Sequence, residues 1–122
     1  MTPQGRPAAG SQRFGKEDRL LLRPEFRRVA AAGSRRVSDH FIVYLSRNKR
    51  DRPRLGITAS RKVGTAVIRN RIKRLIREYF RGSRERLPGS CDVLVIVRKS
   101  SMSMKLADIA RELDRAIGVK AN

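Results

Sequence analysis

The sequence predicts an α+β fold, a two-layer sandwich of helices on a small central sheet, with element order α-β-β-α-β-α. Three observations lead there. Residues 66–81 repeat apolar side chains at helical spacing. Residues 36–46, RVSDHFIVYLS, alternate and are rich in β-formers. Residues 91–98, CDVLVIVR, are a continuous apolar run of strand length, as expected of a strand buried on both faces. At 122 residues the chain suits one domain with one core.

Residues 1–13 hold Pro3, Gly5, Pro7 and Gly10 without a periodic pattern, and read as a disordered basic tail. The domain is expected over residues 14–119, with 120–122 as a second tail. A helix over 24–32 begins at Pro24, a residue suited to the first helical position, beside Glu25 at the positive helix end. Phe26, Val29 and Ala30 share one face of it, and Gly33 ends it. In the strand over 36–46, Val37, Phe41, Val43 and Leu45 lie on one side, Ile42 and Tyr44 on the other. A second strand over 54–60 follows a charged turn, and the short connection makes the two antiparallel neighbours. Gly56 within it signals a bulge or a close backbone approach. Thr65 is placed to cap the 66–81 helix, and Gly82 to stop it in the left-handed conformation. That helix sets Ile68, Ile72, Leu75, Ile76, Tyr79 and Phe80 on one stripe. Leu106, Ile109, Ala110, Leu113 and Ile117 mark a closing amphipathic helix.

Charge narrows the function. Lys and Arg total 30 against 11 Asp and Glu, a formal net charge of +19. A compact chain of that charge repels itself and calls for a polyanion. No apolar run approaches the about 20 residues needed to span a bilayer, and no signal-peptide segment opens the chain, so the cytoplasm is the expected compartment. One cysteine, Cys91, excludes an internal disulfide, and with one histidine, His40, it excludes the usual His/Cys metal clusters.

The cations concentrate on the 66–81 helix. Arg69, Lys73 and Arg77 form one row at four-residue spacing, and Asn70, Arg74, Arg77 and Arg81 form its neighbour. Only Glu78 opposes them. Stacked like charges cost a few tenths of a kcal/mol per pair, a cost that phosphates on this face would reverse. The bland alternative is a solvated face over an ordinary core, but such faces usually intersperse acids. Arg61 and Lys62 extend the patch beside the helix N-terminus, itself an anion site. A membrane role conflicts with strands on both sides that claim the apolar stripe for a protein core. DNA is disfavoured because no helix-turn-helix, zinc finger or basic zipper fits.

At RNRIKRLIRE, Arg69 to Glu78, a resemblance becomes specific. The stretch GITASRKVGTAVIRNRIKRLIREYF, Gly56 to Phe80, resembles the characteristic segment of the bacterial ribonuclease P protein subunits. Its core is the triplet Arg69, Asn70, Arg71. RLLLRPEFRRV, Arg19 to Val29, resembles that family's first-helix pattern, and DVLVIVRKS, Asp92 to Ser100, its last-strand pattern. The match spans about residues 16–118.

The resemblance implies a protein that binds a large catalytic RNA and helps it remove the 5′ leader of precursor tRNA, leaving a 5′-phosphate. It implies that the RNA does the chemistry with divalent metal (Mg), that the protein alone binds no cofactor, and that one protein serves one RNA. It assigns Arg61, Lys62, Arg69, Asn70, Arg71, Lys73, Arg74 and Arg77 to the catalytic RNA. It assigns a leader-binding cleft between the first helix and the sheet, with Phe26, Ala30, Tyr44, Ser60 and Arg98. Aromatics suit such a cleft because every base has a face to stack. A second aromatic, often found one turn beyond Phe26, is Ala30 here, and Phe26 read alone is equally a core residue. The resemblance also implies a left-handed β-α-β crossover, against the usual right-handed rule.

The residues themselves point to no catalytic group on the protein. Phosphodiester hydrolysis calls for an activator and a charge stabiliser, often a carboxylate-held metal pair, and no acids pair near the basic face. His40, read as a strand residue, has no evident partner. Asp92 opens a buried strand and is expected to cap or to pair with a cation, and Cys91 is an inert buried thiol. Two further readings stand beside the ribonucleoprotein subunit: a purely structural RNA-binding protein, which +19 equally suits, and a protein-only nuclease.

Overall fold

The computed structural model describes residues 23–49, 52–83, 87, 90–98 and 104–118. The expected tails, 1–13 and 120–122, lie outside them. The elements are α1 (Arg23–Ala32), β1 (Ser34–Val37), β2 (Phe41–Arg47), β3 (Arg54–Ala59), a 3-10 turn (Arg61–Val63), α2 (Ala66–Ser83), β4 (Cys91–Val97) and α3 (Leu106–Ile117). The fold is α+β, with four strands in the order β1-β2-β4-β3.

β4 takes the centre because its run is the most apolar. Residues 91–95 and Val97 are buried, and only a flanked strand satisfies such a backbone without water. β2 pairs with it antiparallel, Phe41 opposite Val97 through Arg47 opposite Cys91. β3 pairs with it parallel, Arg54 opposite Asp92 through Ala59 opposite Val97. The expected direct pairing of β2 with β3 is therefore corrected. The two strands do run in opposite directions, but β4 lies between them, and α2 makes the crossover from β3.

Three local expectations also change. The stretch 36–46 is not one strand: it divides at residues 38–40, where Ser38 N–H donates to the Phe41 carbonyl at 2.8 Å and turns the chain from β1 into β2. β1 is exposed along its length, and Val37, expected beside Phe41, is 50% exposed on it. Gly82 does not stop α2, which runs on to the buried Ser83, and open space surrounds the Gly82 Cα where a side chain would project. Gly56 sits in unbroken parallel register with Leu94, which rules out the bulge and not the close backbone approach expected as its alternative. Gly33 does end α1, through its N–H to the Val29 carbonyl at 2.8 Å. A Cβ there would stand 2.6 Å from the carbonyl oxygens of Val29 and Leu45, so only glycine lets the chain pass so close to β2.

The main core lies between one sheet face, including Phe41, Val43, Leu55, Val93, Val95 and Val97, and the stripes of α2 and α3. Ile72, Ile76 and Phe80 enter from α2, and Ile109, Leu113 and Ile117 from α3. To the expected two layers α1 adds a partial third. It packs on the opposite face, over β2 and β4, where Val29 and Leu94 are buried.

Candidate nucleic-acid interface

Strand alternation decides what the α1 side of the sheet presents. Leu55, Ile57 and Ala59 join the main core, so Gly56 and Thr58 of β3 face the other way. By the same parity Tyr44 of β2 and Leu94 and Ile96 of β4 face α1. Phe26, Ala30, Tyr44 and Ile96 form one half-buried cluster around Val29 and Leu94. Three of the expected cleft residues thus come together, and Ile96 joins them. α1 sits over β2 and β4, and the edge strand β3, with Gly56 buried and Thr58 half-buried, runs beside this cluster. Ser60 and Arg98 are exposed where β3 and β4 end, outside the cluster. Arg98 donates Nη1 to the Ser38 carbonyl at 2.8 Å, which ties it to the β1–β2 turn.

A buried polar network closes the opposite end of this face. Arg54, 4% exposed, grips Asp92, 1% exposed, with Nε to Oδ1 and Nη2 to Oδ2 both at 3.0 Å. Its Nη1 donates to Glu25 of α1 at 2.8 Å. Asn48 donates to Asp92 Oδ1 at 2.7 Å, and Arg28 of α1 reaches Oδ2 at 3.5 Å. The Asp92 contact raises the Arg54 pKa most, burial opposes it, and Glu25 adds to the rise. The network bolts α1 to the sheet. The one sequence signal for it is an acid opening an apolar run, since a buried charge demands partners. The predicted pairing of Asp92 with a cation is what the structure shows.

The α2 cations lie on the other side of the sheet. Thr65 caps the helix as expected, its Oγ1 accepting from Ile68 N–H at 3.3 Å. The first turn of α2 holds no acid, so its positive end stands uncompensated beside exposed Arg61 and Lys62. At about 100° per residue, Arg69, Lys73, Arg77, Asn70 and Arg74 spread outward from the buried Ile72–Ile76 stripe along one flank and the outer face. Asn70, Arg74 and Arg77 are exposed, while Arg69 and Lys73 are half-buried by their stems. Among the described residues none of these side chains has an acidic partner. Arg69 Nε is buried without a hydrogen-bond partner among them. Arg71 departs from the expected group: it lies on the opposite flank, and its Nη2 donates to the Met104 carbonyl at 2.8 Å.

His40 is not a strand residue and does have a partner. It lies in the β1–β2 turn, with Nδ1 2.8 Å from Glu112 Oε1 on α3. Glu112 Oε2 also accepts from His40 N–H at 2.7 Å and Ser38 Oγ at 2.5 Å. Burial pushes the Glu112 carboxyl up, but these bonds outweigh it and hold the carboxyl below its ordinary value. Burial raises the Cys91 thiol, which keeps it protonated. Among the described residues no group of three His, Cys, Asp or Glu is placed to hold a metal ion. No helix among them is long and apolar enough to cross a membrane.

A mixed four-stranded sheet carries, on one side, a helix whose cations have no acidic partner among the described residues, the kind of face that suits a polyanion. A family model described as Ribonuclease P matches residues 14–120. The ribonuclease P protein component of Syntrophus aciditrophicus is 44% identical over 98 residues, covering 80% of this chain and 82% of its own length. A mutant of the Staphylococcus aureus RNase P protein superposes with a TM-score of 0.77 at 35% identity, covering 84% of this chain and 87% of that one. The Thermotoga maritima RNase P protein gives 0.74 at 30% identity, covering 84% and 98%. The chain belongs to the ribonuclease P protein family, the protein component of the ribonucleoprotein endoribonuclease that processes tRNA 5′ ends, and its partner is RNA.

Proposed function

We propose that the α2 face and its approach turn lie against the catalytic RNA subunit, while the α1 side of the sheet takes the single-stranded 5′ leader of precursor tRNA. The observation that carries the first half is the cationic face of Arg69, Asn70, Lys73, Arg74 and Arg77, with Arg61 and Lys62, which no acid neutralises among the described residues. The orphaned Arg69 Nε supports it: an unmet buried donor costs about 1–3 kcal/mol, which a phosphate oxygen or water at that atom would recover. Phe26 and Tyr44 are only half-buried and so keep surface on which bases stack.

In this reading the protein breaks no bond. The RNA performs the hydrolysis with divalent ions, Mg among them, and one protein serves one RNA in the cytoplasm. The protein lowers phosphate repulsion and holds the leader so that the scissile bond is presented in register. Cleavage of a leader-bearing precursor tRNA by the catalytic RNA at low Mg, with and without the protein, tests this. The protein should raise the rate. It should raise it less when Phe26 and Tyr44 are both changed to Ala, and less for a precursor whose leader is too short to reach them. An RNA that cleaves equally well alone would refute the assignment, as would leader-length independence for the α1 side.

A further inference from the structure

The triplet Arg69, Asn70, Arg71 reads in sequence as one cationic unit, but the helix splits it. Residues two apart are separated by about 200° around the axis. Arg69 lies beside Lys73 and Arg77, whereas Arg71 emerges on the flank that packs against α3. Its Nη2 meets the Met104 carbonyl at 2.8 Å, and its Nη1 is buried without a partner among the described residues. The held carbonyl is the last before the cap of α3. At Lys105 the backbone N–H donates to Asp108 Oδ2 at 2.9 Å and starts the helix. Further along, Tyr79 donates its hydroxyl to Asp114 Oδ1 at 2.7 Å. The contacts at Arg71 and Tyr79 come in the same order along both helices, so Arg71 is the first of two bolts that hold α3 alongside α2.

We propose that the two arginines divide the work: Arg69 contacts RNA phosphate, and Arg71 is a positioning residue that fixes the entry of α3 against α2 and so presents the cationic face in one orientation. This rests on the reading that the α2 face grips the RNA. A guanidinium committed to a backbone carbonyl has given up part of the fork that would clasp a phosphate. Its removal loosens the platform without subtracting a released counterion.

The test is the salt dependence of binding to the catalytic RNA, measured well below the melting temperature for Arg69→Ala, Arg71→Ala and Arg71→Gln. Arg69→Ala should flatten the log–log slope by roughly 0.7–0.9. Arg71→Ala should leave the slope unchanged and weaken binding uniformly across salt, by roughly fivefold. Arg71→Gln, which is neutral but keeps an amide donor, should recover part of that loss. Amide exchange of the free protein reads the clamp separately: protection at the start of α3 should fall in Arg71→Ala while that of β4 persists. A slope flattened by Arg71→Ala as much as by Arg69→Ala overturns the division. An unaltered slope in Arg69→Ala instead refutes the RNA-facing role of α2, and the exchange result still decides whether Arg71 is the clamp.

Discussion

Asp92 shows how much one side chain is asked to hold. It collects Arg54, Asn48 and Arg28 at one end of the α1 side of the sheet while 1% exposed. Asp92→Ala leaves Arg54 buried with Glu25 as its remaining described acid, and removing one partner of a buried pair costs about 3–5 kcal/mol. Urea unfolding should show a loss of that size, and a loss below about 1 kcal/mol would mean that water compensates the guanidinium. Glu112 gives a pH dependence. Its folded-state pKa is depressed, so its contribution to stability is complete above the ordinary carboxylate value and disappears as pH falls through the lower folded value. The wild-type chain should therefore melt higher than Glu112→Gln near neutrality, and the gap should close between about pH 5 and pH 2. A gap independent of pH would show that the carboxylate's charge is not what stabilises the turn. The cationic character of residues 61–77 was legible because charge needs no fold to be counted. The inward bond of Arg71 was not, because a backbone carbonyl 33 residues away leaves no mark in the pattern of charges.

At the level of elements, helices were read from the sequence more faithfully than strand neighbours. The stripes of α1, α2 and α3 repeat within a few residues, so local periodicity suffices. β2 and β4 were legible as strands by composition, but which strand pairs with which depends on contacts far apart in the chain. β1 was hidden because Val37 alternates in phase with Phe41 across the turn, so one long strand fits the pattern as well as two. Gly33 was rightly placed as a stop, although its reason is the approach of Leu45 rather than left-handed geometry. Gly33→Ala should cost about 1–3 kcal/mol, since a methyl group 2.6 Å from two carbonyl oxygens forces α1 and β2 apart. Thermal melts would register this. Gly82→Ala, with open space around it, serves as the control and should be neutral or slightly stabilising.

At the scale of the molecule, the two proposed RNA contacts occupy opposite faces of one sheet, with β4 as the shared floor. The buried residues of β4 face α2 and α3 on one side and α1 on the other. The leader-binding cleft is an expectation that only the family resemblance supplies. Phe26 and Tyr44 alone fit a core, and the structure leaves both half-buried against Val29 and Leu94. The same central strand has a consequence for synthesis. β2 and β3 leave the ribosome without each other as partners, and every cation of α2 emerges before residue 91 does. Until β4 has been made, the nascent chain holds both flanking strands apart and waiting, so cooperative folding is deferred until that strand emerges. Ribosome-tethered chains halted at residue 90 should accordingly stay protease-sensitive, and RNA capture should begin only after the keystone strand has slotted into its gap.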